Sequence, residues 1–440
     1  MILLQHVFHP DRESVSKGMK RSQKVKQQRI STFRSLHKRY LVKGSISVMD
    51  VILRWMRYEK TIAMNTPKMG DFEWRNSGEV LVHQDAPLEV VKLKELTKSL
   101  LDKARRMLIH ELCFDWDCTD LEVFGELQDD RKSSNPGYSF LLHPANLKRI
   151  EATSNRLLKR AGAVQPPFWR LPATTSINSS HSDLDWNHQA LKRYISMHEI
   201  FLEDLLILCL MLGGQPPRGT EMLTLQFKNG QSLRRNVFIS GGVMALVTTY
   251  HKGQSISGFG KEIPRFLPTC LRNVILGYLY FVRPFVAMLQ RVTNVTVSAR
   301  GGLLWGIDEV GLKSWSSEKL SNIFKRHSMQ IIGYRLTLQN YRQIAIKIDQ
   351  DLIRKANDLP QDEFNASSEG EDSDDDDLHD QQAAHTSRIA KLHYGRNVSY
   401  VVPEWDQSLW EQYRIVSGKW HAWLGVDSLY LTSVQVRITK

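Results

Sequence analysis

Residues 202–221 read LEDLLILCLMLGGQPPRGTE, and this stretch decides the fold. Nine of its first eleven residues are apolar, which predicts a helix that is buried on most sides. The helix is expected to end at Gly213-Gly214, with a Pro-Pro pair just beyond, because glycine and proline commonly follow a helix C-terminus. The chain that leaves this helix therefore presents a charged residue, Arg218, at the end of a buried element.

Downstream of this helix, the sequence predicts a small antiparallel sheet and more helices. Two strands, 237–240 and 243–250, flank a Gly-Gly pair that suits a tight turn. Further helices are predicted over residues 271–290, 316–332, 338–356 and 387–394. The aromatic tail, which includes Trp410, Tyr413 and Trp420, is predicted to pack in the core, with stacking on bases as the alternative. The predicted fold is mainly α-helical with a small antiparallel β-sheet.

The N-terminal half predicts a second, helical domain. In residues 88–112, apolar residues recur with helical spacing, and basic residues occupy the opposite face. A polar stretch after Pro166-Pro167 has the composition of a linker. We expect a helical domain over residues 45–173, a linker over 174–190 and a larger domain over 191–440.

The 440 residues carry a formal net charge of +12 that is unevenly spread. Residues 1–44 are predicted to be a flexible basic arm, since 12–43 hold eleven Lys or Arg and one acid; an ordinary solvated tail is the alternative. Residues 362–380 hold ten acids and no Lys or Arg, which predicts a disordered insertion. The basic remainder favours a polyanionic partner such as nucleic acid, with an anionic membrane surface as the alternative, and the basic arm would suit import into the nucleus. Candidate DNA contacts are Lys20, Arg21, Lys24, Lys26, Lys98, Arg105 and Arg106.

Several other classes of site find little support in the sequence. Cys113 and Cys118 are spaced C-x4-C, but no second Cys or His pair follows at zinc-finger spacing, so no metal is expected. Residues 255–262 lack the glycine and the Ser or Thr of a phosphate loop, and no cofactor is predicted. The apolar run 274–289 is interrupted by Arg-Pro, so no membrane span is expected.

Four motifs carry the candidate chemistry. They are Arg218-Gly-Thr-Glu221 after the buried helix, Tyr250-His-Lys252-Gly after a strand, Gln339-Asn-Tyr-Arg342 in a predicted helix, and His385 nine residues before Tyr394.

This order of Arg, Lys, Arg, His and Tyr resembles the tyrosine recombinase family over about residues 196–400. More narrowly, residues 213–284 look like recombinases of crypton-type fungal mobile elements, and like the region beside fungal telomere-linked RecQ-like helicases. The resemblance implies a C-shaped clamp on DNA and self-association as a tetrameric synapse. The chain departs from the family at Gln339, where a proton-handling residue is usual.

The resemblance also implies a role for each motif residue. Tyr394 would attack the scissile phosphate and hold it as a 3′-phosphotyrosyl link. Arg218 and Arg342 would clamp the phosphate, because guanidinium groups match its oxygens bidentately. Lys252 would protonate the leaving 5′-oxygen, and His385 would donate to a non-bridging oxygen.

Several alternatives remain open on the sequence. Glu221 would orient the arginine of its motif or pack its helix, whereas Gln339 has no acid–base capacity. That glutamine favours a second hypothesis, a catalytically degenerate DNA-binding module derived from such a recombinase. Lys261 and Tyr400 are rivals of the proposed lysine and tyrosine. A third hypothesis has the acidic segment 362–380 and the aromatic tail bind protein.

Overall fold

The computed structural model describes most of the chain from Phe72 onward. The described ranges are 72–83, 86–119, 124, 127–150, 156–170, 185–231, 233–250, 261–293, 302–305, 315–354 and 407–426, together with ten helical residues between 28 and 58. The chain forms two compact units, Met1–Asp71 and Phe72–Lys440. The candidate residues Lys20, Arg21, Lys24, Lys26, Lys252, His385 and Tyr394, and the acidic segment 362–380, lie outside the described residues.

The unit Phe72–Lys440 begins with a sheet that leads directly into a long helix. Strands β1 (Phe72–Arg75), β2 (Val80–His83) and β3 (Ala86–Glu89) pair antiparallel in that order. Helix α1 (Val90–Arg106) follows and continues through a π-helical turn, Met107–Leu112. The next elements are α2 (Pro144–Ile150), α3 (Arg156–Ala163) and the paired strands β4 (Trp169–Arg170) and β5 (Asp185–Trp186).

The rest of this unit is built around α4 (His188–Leu212). The short helix α5 (Gly219–Leu223) leads to an antiparallel sheet in the order β6 (Val237–Ser240), β7 (Val243–Tyr250) and β8 (Lys261–Phe266). Helices α6 (Thr269–Gly277) and α7 (Arg283–Thr293) are joined by the π-helical turn Tyr278–Val282. The remaining elements are α8 (Ser317–Ile331), α9 (Leu338–Ile348) with the π-helical turn Asp349–Arg354, and α10 (Gln407–Leu424).

The predicted mainly α-helical fold with small antiparallel sheets is confirmed. Helix α4 is buried along its second half and ends at Gly213, as its apolar run and glycine pair predict. A Cβ on Gly213 would lie 2.8 Å from the Cys209 carbonyl oxygen, so the helix end requires a glycine there. Trp410, Tyr413 and Trp420 are buried, as predicted for the aromatic tail.

Six of the described strands, β1–β5 and β8, were missed, and two of them contain a proline. Pro87 lies in β3 and Pro264 in β8, and both are edge strands of their sheets. Proline lacks an N–H and is tolerated in a sheet mainly at an edge, so its presence argues against a strand when a sequence is read alone. The sheet β1–β3 also falls where a purely helical domain was expected.

The compact unit does not divide at the predicted linker, residues 174–190. Helix α1 packs against α4 and α8, and one hydrophobic core extends from Leu81 to Val426. The Lys103 ammonium of α1 lies 2.8 Å from the buried carboxylate of Asp204 on α4. The observed boundary, between Asp71 and Phe72, therefore differs from the predicted division into 45–173 and 191–440. A Pro-Pro pair and a polar run mark a loop, but they do not tell whether its flanks share a core.

By length and composition alone, the helical stretch Thr269–Gln290 could cross a membrane. However, 67% of its most apolar window is buried inside the protein. Arg283 within it donates to the Leu303 carbonyl at 2.8 Å. Its apolar side chains therefore serve the core of this unit.

A buried ion pair joins the segment 127–150 to the sheet β6–β8. Asp129 Oδ1 accepts a hydrogen bond of 2.6 Å from Arg235 Nη2, and both side chains are 0% exposed. Asp129 Oδ2 accepts a second bond, of 3.1 Å, from the amide of Ile239. The guanidinium of Arg235 also lies over the rings of Tyr138 and Phe238.

We expect Asp129→Asn to lower the free energy of unfolding by about 3–5 kcal/mol, because it leaves the Arg235 charge buried without its carboxylate. Chemical denaturation measures this change. The matched control is Glu73→Gln, which removes the carboxylate of an exposed pair with Arg75 and should leave the midpoint unchanged. Equal midpoints for both variants would contradict a stabilising buried pair.

Candidate functional site

Residues 213–217, which follow α4, are buried although they form no regular secondary structure. We call them the arginine loop, because arginines from two other elements bind its carbonyls. Arg265 on β8 donates from Nη1 to the Gln215 carbonyl, and Arg342 on α9 donates from Nε to the Pro216 carbonyl at 3.2 Å. Buried carbonyl groups need hydrogen-bond partners, so the two arginines fix the course of this loop.

Arg218 follows the arginine loop and stands at the N-terminal cap of α5. Its backbone N–H donates to Glu221 Oε2 at 3.2 Å, and its Nη1 lies 4.0 Å from Glu221 Oε1. The Arg218 side chain is 36% exposed, whereas that of Glu221 is 7% exposed. The buried carboxylate thus contacts both the backbone and the guanidinium of Arg218, which is the geometry of the predicted orienting role.

A close approach at Gly219 brings α5 against α9. A Cβ at this position would lie 3.2 Å from Leu338 Cδ1 and 3.5 Å from Leu320 Cδ2. Leu338 precedes Arg342 by four residues, and residues four apart share one face of a helix. The structure therefore brings Arg218 and Arg342, from distant parts of the chain, to opposite ends of the same short segment, Pro216 to Arg218.

Arg265 is a member of this cluster that the sequence did not single out. It is fully buried, and its Nε lies 3.4 Å from Thr248 Oγ1 on the neighbouring strand. The pKa of Arg265 is lowered to about 10, mainly by burial; the nearby Arg342 also lowers it, whereas Glu221 and Tyr413 raise it. The only signal in the sequence was a charged residue inside the otherwise apolar run 263–267.

The other candidate residues fall into two groups. Lys252, His385 and Tyr394 lie outside the described residues, although β7 and β8, which flank the connection that contains Lys252, are described and pair through Tyr250 and Lys261. Gln339 is exposed in the first turn of α9.

Helix α1 does not present a face of one charge. Lys98, Arg105 and Arg106 are exposed, but Glu95 and Asp102 are exposed on the same helix. In addition, Arg105 forms a 3.1 Å ion pair with Asp117, and the Lys94 ammonium lies 4.8 Å from the ring centroid of Trp423. The three predicted DNA contacts are therefore accessible within a mixed surface, which supports phosphate contacts less than a uniform basic face would.

No known protein family matches this chain, and no solved structure matches it. The chemistry of the site therefore rests on its own residues.

Within the described ranges, no three His, Cys, Asp or Glu side chains are placed to hold a metal ion. Cys113 and Cys118 are buried with their sulfurs 3.4 Å apart. The hydrogen bond with Cys118 and burial raise the pKa of the Cys113 thiol. A thiol with a raised pKa is a poor nucleophile and a poor metal ligand, so this pair reads as part of the core.

Helix α10 covers the C-terminal end of α4, next to the arginine loop. Trp420 Nε1 donates to the Met211 carbonyl at 2.8 Å, and His421 Nε2 donates to the Leu212 carbonyl at 2.7 Å. The last carbonyls of a helix have no partners within that helix. Side chains of α10 supply those partners and so complete the end of α4.

We expect the protein to lose stability as the pH falls from about 6.5 to 4, because two of the described histidines, His198 and His421, are buried with lowered pKa values. Burial lowers the pKa of His421 to about 4 and that of His198 to about 3. Their pKa in the unfolded chain is about 6.5, so between these values the unfolded state binds more protons and acid favours unfolding. Thermal unfolding at a series of pH values measures the slope.

The variant His421→Gln keeps a side-chain N–H but cannot titrate. Its melting temperature should therefore fall less steeply with acid than that of the wild type. Parallel slopes for the two proteins would show that His421 does not contribute to the pH dependence.

Proposed function

We propose that this protein binds double-stranded DNA in the nucleus and cleaves and rejoins a strand through a tyrosine nucleophile, in the manner of a tyrosine recombinase. The observation that carries the proposal is that Arg342 donates to the Pro216 carbonyl, two residues before Arg218. Two guanidinium groups that both reach one phosphate would suit its non-bridging oxygens. Synapsis by self-association as a tetramer belongs to the same proposal.

The charge around the arginine loop supports an anionic ligand. Glu221 lies near the charged groups of Arg218 and Arg265, and Arg342 in turn lies near Arg265. Of these side chains, Arg218 is partly exposed while Arg265 and Glu221 are buried. A phosphate bound here would be attracted by these guanidinium groups, and Arg218 gives it access from solvent.

The proposed reaction exchanges one ester bond for another. The Tyr394 oxygen attacks the phosphorus, the bond from phosphorus to the 5′-oxygen breaks, and a 3′-phosphotyrosyl bond forms. Lys252, two residues beyond β7, gives a proton to the leaving 5′-oxygen. The arginines stabilise the charge that develops on the phosphate. Rejoining is the reverse attack by a 5′-hydroxyl.

A second candidate function is DNA binding without cleavage. Gln339 is exposed in the first turn of α9, where a proton-handling residue is usual in the resembling family. Moreover, Arg342 uses its Nε to hold the Pro216 carbonyl, a structural task that a non-catalytic protein would also need. These two observations favour a DNA-binding module that does not cleave DNA.

A nicked suicide duplex, taken from the DNA that flanks the coding sequence, separates the two candidates. The protein is incubated with this duplex, denatured, and examined for a covalent protein–DNA adduct. Duplex affinity is measured in parallel over a range of salt, where each neutralised phosphate contributes a slope of about −0.9.

An adduct supports strand cleavage. Salt-sensitive binding without an adduct supports the binding module. Absence of salt-sensitive duplex binding contradicts both and leaves the protein-binding hypothesis.

A further inference from the structure

The segment that leads to Arg218 is held by side chains from three other elements. Four carbonyls of residues 211–216 accept hydrogen bonds from side chains of α10, β8 and α9. In the chain order of the carbonyls that they bind, the donors are Trp420, His421, Arg265 and Arg342. The end of α4 and the arginine loop that follows it are thus fixed by long-range side-chain contacts.

We propose that Arg265 is a positioning residue for the phosphate clamp formed by Arg218 and Arg342. Its side chain is fully buried, so it acts through the arginine loop and not on the ligand. The inference rests on the proposed function, because that function identifies the ligand of the clamp as a phosphate.

The shape of the Arg265 side chain suits this task. Its Nη1 donates to the Gln215 carbonyl of the loop, while its Nε lies beside Thr248 Oγ1 on β7. A planar guanidinium can bridge two acceptors on different elements, whereas an ammonium is a point charge without a fixed fork. Arg265 therefore ties the arginine loop to the sheet whose β7–β8 connection contains Lys252.

The charge of Arg265 also reaches the clamp. Arg342 lies close enough to lower the pKa of Arg265, and Glu221 lies close enough to raise it. Like charges in a buried site repel each other, and this repulsion is relieved when an anion binds. Arg265 should therefore strengthen phosphate binding without touching the phosphate.

The test measures how far inorganic phosphate raises the melting temperature, against chloride at equal ionic strength. The proteins compared are wild type, Arg218→Lys, Arg265→Met and the double variant, which form a double-mutant cycle. Each single variant should reduce the phosphate-induced rise, and the double variant should lose little more than either single one. Arg265→Lys, which keeps the charge, should recover part of the rise.

Arg235→Met is the matched control, because Arg235 is equally buried but pairs with Asp129. It should lower the melting temperature while leaving the phosphate-induced rise intact, and its effects should add to those of Arg218→Lys. If Arg265→Met behaves in the same way, Arg265 is structural only and the inference is overturned. If Arg265→Met does not fold, Thr248→Val is used in its place. It removes one hydrogen-bond acceptor of Arg265 and should reduce the phosphate-induced rise in melting temperature by a smaller amount.

The suicide duplex distinguishes failure of this inference from failure of the proposed function. Arg265→Met should slow adduct formation on the order of 10- to 100-fold, the scale expected when reacting groups are misplaced. If Arg218 and Arg265 are coupled in the double-mutant cycle but the wild type forms no adduct, the positioning role is kept and strand cleavage is rejected. A wild-type adduct with no such coupling would reject the positioning role alone.

Discussion

Replacing Tyr394 with phenylalanine should abolish the covalent protein–DNA adduct while leaving duplex affinity and its salt dependence unchanged. The substitution removes one oxygen atom, and that oxygen is the proposed nucleophile. We expect the rate of adduct formation to fall on the order of 10⁴-fold or more, since removing a covalent nucleophile from an enzyme has effects of this size. Denaturing electrophoresis of the labelled suicide duplex measures the adduct, and filter binding measures affinity.

Two tyrosines serve as controls for this prediction. Tyr400 lies six residues further along the chain, and Tyr413 is buried on α10. Tyr400→Phe and Tyr413→Phe should both keep the adduct. If Tyr400→Phe alone loses it, Tyr400 is the nucleophile and the nine-residue spacing from His385 misled the assignment. If none of these three variants loses it, the adduct forms at another residue and the assignment of Tyr394 is wrong.

Arg218→Lys should lower the rate of adduct formation by about 10²- to 10³-fold, the loss expected when one donor to a developing oxyanion is removed. Lysine keeps the positive charge but not the bidentate geometry. Its effect on stability should be small, because the helix cap uses the backbone N–H of residue 218 rather than its guanidinium. Single-turnover kinetics and thermal unfolding together test this separation of rate from stability.

Arg342→Lys should behave differently, since Arg342 also donates from Nε to the Pro216 carbonyl. We expect it to lower both the adduct rate and the melting temperature. Lys98→Gln, on the exposed side of α1, is the control for a general charge effect: it should weaken duplex binding while leaving the single-turnover rate at saturating DNA unchanged. Equal rate losses for Lys98→Gln and Arg218→Lys would contradict a local clamp.

The sequence predicted the elements whose pattern is strong over many residues. Helix α4 is a long apolar run with a glycine pair at its end, so its existence and its end at Gly213 followed from local rules. Strands β3 and β8 are short and contain Pro87 and Pro264, so local rules argued against them. Whether α1 and α4 share a core depends on tertiary packing, which no linker composition reveals.

The candidate site residues also divide into those that local sequence patterns predict and those that depend on tertiary packing. Spacing singled out Arg218, Glu221 and Arg342, because they sit in short motifs with a fixed order. Arg265 belongs to no motif, and its importance arises only from where folding places it. A charged residue in an apolar strand is a weak signal, since most such residues point to solvent.

The hydrogen bonds from α10 to the end of α4 also determine at what stage of synthesis the candidate site can be completed. Met211 and its donor Trp420 are 209 residues apart, and their contact therefore forms only after residue 420 has been synthesised. A nascent chain that stops before residue 407 lacks the donors for the Met211 and Leu212 carbonyls. Under the proposed function, phosphate binding next to the arginine loop should therefore mature only after α10 has been made.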